Sequence, residues 1–146
     1  FTGLGSYVSG RIPDAQLPQR LPWIGALAFV VLMVAAFLLP GIVHHSQGLS
    51  LAGRLCVAVL ALALPALLMG MLFPNLLRLQ GALGMNTVCW LWGMNGVGSV
   101  LGSVGATIVS MNFGIAATFV TGAACYLVVA MIALLALKSV KVDTPT

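Results

Sequence analysis

Apolar runs of membrane length recur along this chain, and all of its charged side chains lie in the stretches that flank or connect them. The first, residues 21–39 (LPWIGALAFVVLMVAAFLL), carries no charged side chain, and a transmembrane helix needs roughly 17–25 predominantly apolar residues. Residues 55–73 and 88–111 read the same way. A fourth run, 115–137, follows the turn Asn112-Phe113-Gly114, and so short a turn makes the last two helices antiparallel neighbours. The pattern predicts an all-α polytopic transmembrane bundle with four membrane-spanning helices in residues 21–137. Residues 1–20 are read as the end of a preceding helix, closing near Gly10, and a cytoplasmic loop. Residues 138–146 are read as a polar tail that frays.

Proline and glycine punctuate the pattern. Pro13 and Pro18 are expected to hold the stretch before the first run out of a helix, and Pro40-Gly41 to end that run. Phe73-Pro74 is expected to end the second run, leaving Arg78 in a loop over residues 75–86. Pro65, in the middle of the second run, predicts a kink that neighbouring helices tolerate in lipid. Such a kink belongs to an inert bundle or lines the path of a transporter.

The stretch from Ala66 to Ala106 reads as the packing core. Within it Gly98, Gly102 and Gly105 fall at i, i+4 and i+7, so they share one face and invite another backbone close; Gly98 to Gly102 is a GxxxG. Asn95 lies on the same face. An amide in hydrocarbon needs a partner, so Asn95 is read as interhelical glue, with a polar contact to a substrate or ion as the alternative. Trp90 and Trp92 at the entrance of this helix add to the reading of a close-packed helix, and Trp23 at the start of the first run suits an interfacial anchor.

Composition agrees with lipid as the solvent. The 146 residues are 61% hydrophobic and 5% charged, against roughly 25% charged in a soluble domain. Mean hydropathy is +1.15. The formal charge of +4 is therefore read as anchoring at membrane edges and not as nucleic-acid binding. Cys56, Cys89 and Cys125 fall in separate runs with no CxxC and no neighbouring histidine, so they are read as small buried hydrophobes; no metal or cofactor is expected. His44 and His45 lie between the first two runs. Adjacent histidines on a helix point about 100° apart, so the pair is read as part of a solvated interfacial loop over residues 41–50, against a ligand or proton-relay role.

If four helices alternate, Arg11, Arg20, Arg78, Lys138 and Lys141 share one side and Arg54 stands alone on the other. That asymmetry predicts both termini in the cytoplasm, and the His44-His45 loop and the Asn112 turn outside. The expected location is the bacterial cytoplasmic membrane. The first residue is Phe1, which is read as the result of processing or as the start of the carboxyl-terminal part of a longer protein.

The run LLMGMLFPNLLRL, followed by WLWGMNGVGSVLGSVGA and a short glycine-containing turn, resembles the membrane-embedded, major-facilitator-like portion of bacterial spermidine-synthase-like fusion proteins. The resemblance covers roughly residues 66–135, and GLGSYVSGR is similar to a loop after an earlier helix. It implies a cytoplasmic Rossmann-like domain using decarboxylated S-adenosylmethionine or a related nucleoside elsewhere in the parent protein. This chain has none of that domain's glycine-rich cofactor loop, and its acidic residues are Asp14 and Asp143 alone. The expected role is a non-catalytic anchor and scaffold, with the bilayer and other transmembrane helices or subunits as partners. The alternatives are a small accessory subunit of a larger membrane complex, joined through the Gly98, Gly102 and Gly105 face, or part of a transporter with Pro65 and Asn95 on its path.

Overall fold

The computed structural model describes residues 1–82 and 87–142, and every regular element there is helical. Helix α1 spans Thr2–Ser9, and a 3-10 turn at Asp14–Gln16 leads into α2, Leu17–Ser46. Helix α3 covers Leu51–Ala82 and α4 covers Val88–Val142. Three stretches are long and apolar enough to cross a membrane: Asp14–Ser46, Leu51–Gly81 and Val88–Leu135. Large apolar side chains cover their outer faces, among them Phe37 on α2, Leu60 on α3, and Leu101 and Met111 on α4. Such a surface suits hydrocarbon and not water.

The helices run further than the prolines predict. Pro18 sits in the first turn of α2, where its missing N–H costs nothing and its fixed φ suits a helix, so it opens the element it was expected to exclude. Pro22 and Pro40 lie inside α2, and Pro65 and Pro74 inside α3. An interior proline removes one hydrogen bond but keeps a helical φ. In an apolar chain no water competes for the remaining backbone groups, and the helix resumes on the far side. The expected loop over residues 41–50 therefore shrinks to Gln47–Ser50. Residues 75–82, expected in a loop, are the end of α3, and residues 83–86 of that loop lie outside the described residues. The polar tail is likewise helical through Val142, and residues 143–146 lie outside the described residues.

Helix α4 is interrupted once, at Gly114, with φ 85° and ψ 170°. This is the left-handed half of backbone space that glycine enters freely and other residues avoid. The break separates a proximal arm, residues 88–113, from a distal arm, residues 115–142. Gly102, Gly105 and Val109 of the proximal arm line the same cleft as Thr118, Gly122 and Tyr126 of the distal arm. Positions on either side of Gly114 thus meet across a shared space.

The core is thin and mixes leucines with small residues. One stripe of α2, Leu17, Leu21, Gly25, Ala28, Leu32 and Ala36, is buried at steps of three and four. Ala123 and Ala130 are buried on the distal arm of α4, and a Cβ added at Gly25 would stand 3.2 Å from the Ala130 methyl carbon. Small residues facing each other let α2 and the distal arm approach closely, which in lipid supplies the attraction that the hydrophobic effect cannot.

Candidate functional site

Two places gather chemistry: the contact of α1 with α3, and the cleft between α2, α3 and the arms of α4. Helix α1 has eight residues, too few to be stable unsupported. It is held by two glycines. A Cβ at Gly5 would collide with the Leu67 carbonyl of α3, and a Cβ at Gly70 with the Thr2 carbonyl of α1. Among the described residues the tightest glycine-mediated approach is here, with each glycine supplying the space for the other helix's backbone.

Arg78 fastens the far end of the same contact. Its Nη1 donates to the Ser9 carbonyl at 2.8 Å, and its Nη2 donates to the Ile12 carbonyl at 2.6 Å and to Asp14 Oδ1 at 2.5 Å. A cation placed at the carbonyl end of α1 is also favoured by the helix dipole. The side chain is about one-third exposed, and Asp14 more so. Its geometric specificity comes from the fork-shaped guanidinium, which bridges two carbonyls and a carboxylate at once. Ser9 is buried and its hydroxyl donates to the Ser6 carbonyl at 2.6 Å. Asn75, one turn before Arg78 on α3, is fully buried, and neither its Nδ2 nor its Oδ1 has a partner among the described residues.

The residues singled out from the sequence lie elsewhere. At Gly98, Gly102 and Gly105 an added Cβ would meet nothing within 4 Å, so the tight packing expected there does not occur within this chain. The physical reason is the separation of the proximal arm from α2 and α3 by the cleft, which Gly102 and Gly105 line. Asn95 is exposed, and its carbonyl accepts from the Ser99 hydroxyl at 2.7 Å. Ser103, Thr107, Asn112 and Thr121 also donate to carbonyls of their own helix turn. These four hydroxyls and the Asn112 amide thus bond within α4 without a second helix. Pro65 lines the cleft beside Ala66 and Met69.

His44 and His45 stand in the last turn of α2 and not in a loop. His45 Nδ1 lies 3.0 Å from the Gly41 carbonyl, which can only accept, so Nδ1 carries the proton. The two rings meet edge to face with centroids 5.9 Å apart. Among the described residues no three His, Cys, Asp or Glu side chains come together as metal ligands. Cys56, Cys89 and Cys125 are exposed, contrary to the expected burial, Cys125 in the lining of the cleft; a small apolar thiol is equally at home on an apolar outer surface.

The cleft itself has two connected parts. One, about 940 Å³, lies between the end of α2, the start of α3 and the Gly114 turn, and includes Ser46, Arg54 and Ser110 in its lining. The other, about 590 Å³, runs on between Leu32, Pro65, Gly102 and Tyr126. Leu62 and Phe119 belong to both. Phe73 of α3 and Trp92 of the proximal arm meet edge to face at 5.1 Å.

Gly5 and Gly70 pair between helices and form no motif within one, so the sequence alone does not mark the α1–α3 contact. The available signal was Arg78 itself, a charge three residues after an asparagine in an otherwise apolar run. No known protein family, curated protein or solved structure matches this chain.

Proposed function

We propose that this chain is a non-catalytic integral membrane domain that serves as an anchor and helical scaffold. The observation that carries the reading is the continuous cover of large apolar side chains on three helices of membrane length. Under this reading α4 crosses the bilayer twice. As one straight rod its 55 residues would extend ~80 Å at ~1.5 Å per residue, against a hydrocarbon core of ~30 Å. Folding back at Gly114 resolves the mismatch and makes four crossings, with both ends of the chain on the cytoplasmic side. In this reading, supported by the resemblance of residues 66–135, the chain is the membrane portion of a spermidine-synthase-like protein, with any aminopropyl transfer in a separate soluble domain.

A soluble reporter fused to the chain tests the anchor role. The reporter should sediment with membranes and stay there through alkaline carbonate extraction; release by carbonate would refute anchoring. Intact mass of the native polypeptide recovered from membranes tests the parentage. A mass well above 15.1 kDa, with an aminopropyltransferase-like domain in the remainder, is the expected result. A mass at that value would favour an accessory subunit.

A further inference from the structure

The cleft carries a polarity gradient that an anchor does not require. Arg54, Ser46 and Ser110 stand in its lining near the α2–α3 connection, and apolar walls continue past Leu62 and Phe119 toward Pro65 and Gly102. Arg54 Nη2 donates to the Gln47 carbonyl at 3.1 Å, which fixes the side chain and leaves its remaining donors to whatever lies beside it. Among the described residues Arg54 faces no carboxylate, since Asp14 is paired with Arg78. A single cation at the mouth of an apolar trough matches a ligand with an anionic head and a hydrocarbon tail. An apolar helix laid over the same trough would instead cover a guanidinium with no countercharge, which is costly in lipid.

We infer that the cleft holds one anionic phospholipid, with its phosphate on Arg54 and an acyl chain running past Leu62 and Phe119. Guanidinium and phosphate make charge-assisted, often bidentate, hydrogen bonds, so the headgroup is held more tightly than a zwitterionic one of the same size. The chain fills space that the helices leave open between α2, α3 and the two arms of α4. This assignment rests on the reading of the chain as a membrane domain.

Native mass spectrometry of the full chain, released from detergent and titrated with phosphatidylglycerol or phosphatidylcholine, reads the site directly. One phosphatidylglycerol should be retained per chain in preference to phosphatidylcholine. Arg54→Gln should weaken that retention about tenfold, the loss of a hydrogen bond to a charged group, while Arg54→Lys keeps most of it. Ala58→Trp, which fills the trough and leaves the charge, should weaken both lipids. Helix content by circular dichroism separates loss of the site from loss of the fold, and the exposed Arg54 makes its variants the ones that keep their structure. Equal retention of phosphatidylglycerol by wild type and Arg54→Gln, or no preference over phosphatidylcholine, would overturn the assignment and leave the trough to another helix. A helical, carbonate-resistant chain that retains no lipid would remove the lipid site while leaving the membrane domain standing.

Discussion

Glycine does opposite things at the two ends of this molecule. At the α1–α3 contact, Gly5 and Gly70 each stand against a backbone carbonyl of the other helix, and no side chain fits at either position. On the proximal arm of α4, Gly98, Gly102 and Gly105 stand over open space. The second set has the spacing of a packing motif and the first does not. Spacing within one helix therefore says which faces could come close; whether they do depends on what fixes the partner. Arg78 fixes α1 by binding two of its neighbouring carbonyls and Asp14. Among the described residues no comparable cross-link ties the proximal arm to α2, and Ser99, Ser103, Thr107 and Asn112 bond back to their own helix.

The largest effect should follow from closing the space at the tight contact. Gly70→Val drives a side chain into the Thr2 backbone, which cannot move without taking α1 with it, and should cost about 3 kcal/mol of stability in a denaturant titration of the detergent-solubilised chain. Loss of less than a third of that would mean that α1 is not seated as described. Arg78→Ala comes next, at about 2 kcal/mol, because a charge-assisted set of hydrogen bonds disappears and α1 loses its clasp. Arg78→Lys should recover little, since a point charge cannot bridge two carbonyls and a carboxylate together.

Smaller effects sharpen the contrast from the other side. Asn75→Leu replaces a fully buried amide without partners by an apolar side chain of similar size, and should raise stability by about 1 kcal/mol. A marked fall instead would reveal a partner for the amide. Gly98→Ala should raise helix stability by about 0.5 kcal/mol, because glycine inside a helix costs backbone entropy and nothing here needs its small size. A destabilisation measured there would show that this face meets another helix in the membrane.

Much of the helical content was legible in the sequence. Runs without charge announced helices of membrane length, and Asn112-Phe113-Gly114 marked the place where α4 breaks. Proline was the misleading signal. Pro40 and Pro74 each read as a boundary by the habits of water-exposed helices, and each lies within a helix because an apolar environment offers the freed backbone no alternative partner, whereas Pro18 sits in the first turn of α2, where it frees no bonded group. Arg78 read as a loop charge and proved to be a clasp on α1. Its partners are mostly carbonyls, which every residue possesses, so composition and spacing cannot point to them. Likewise, the cleft exists only between helices, and neither Arg54 nor Phe119 carries a local mark of lining it.

The central claim is that the chain crosses the membrane with α4 folded back at Gly114. Single cysteines at Gln19, His45 and Asn112, placed in a background with Cys56, Cys89 and Cys125 replaced by alanine, test it most directly with a membrane-impermeant maleimide on intact cells. Labelling at His45→Cys and Asn112→Cys, with Gln19→Cys protected until the membrane is opened, is the result this account predicts. Labelling at His45→Cys with Asn112→Cys protected would contradict it, because the Gly114 turn would then not reach the outer face.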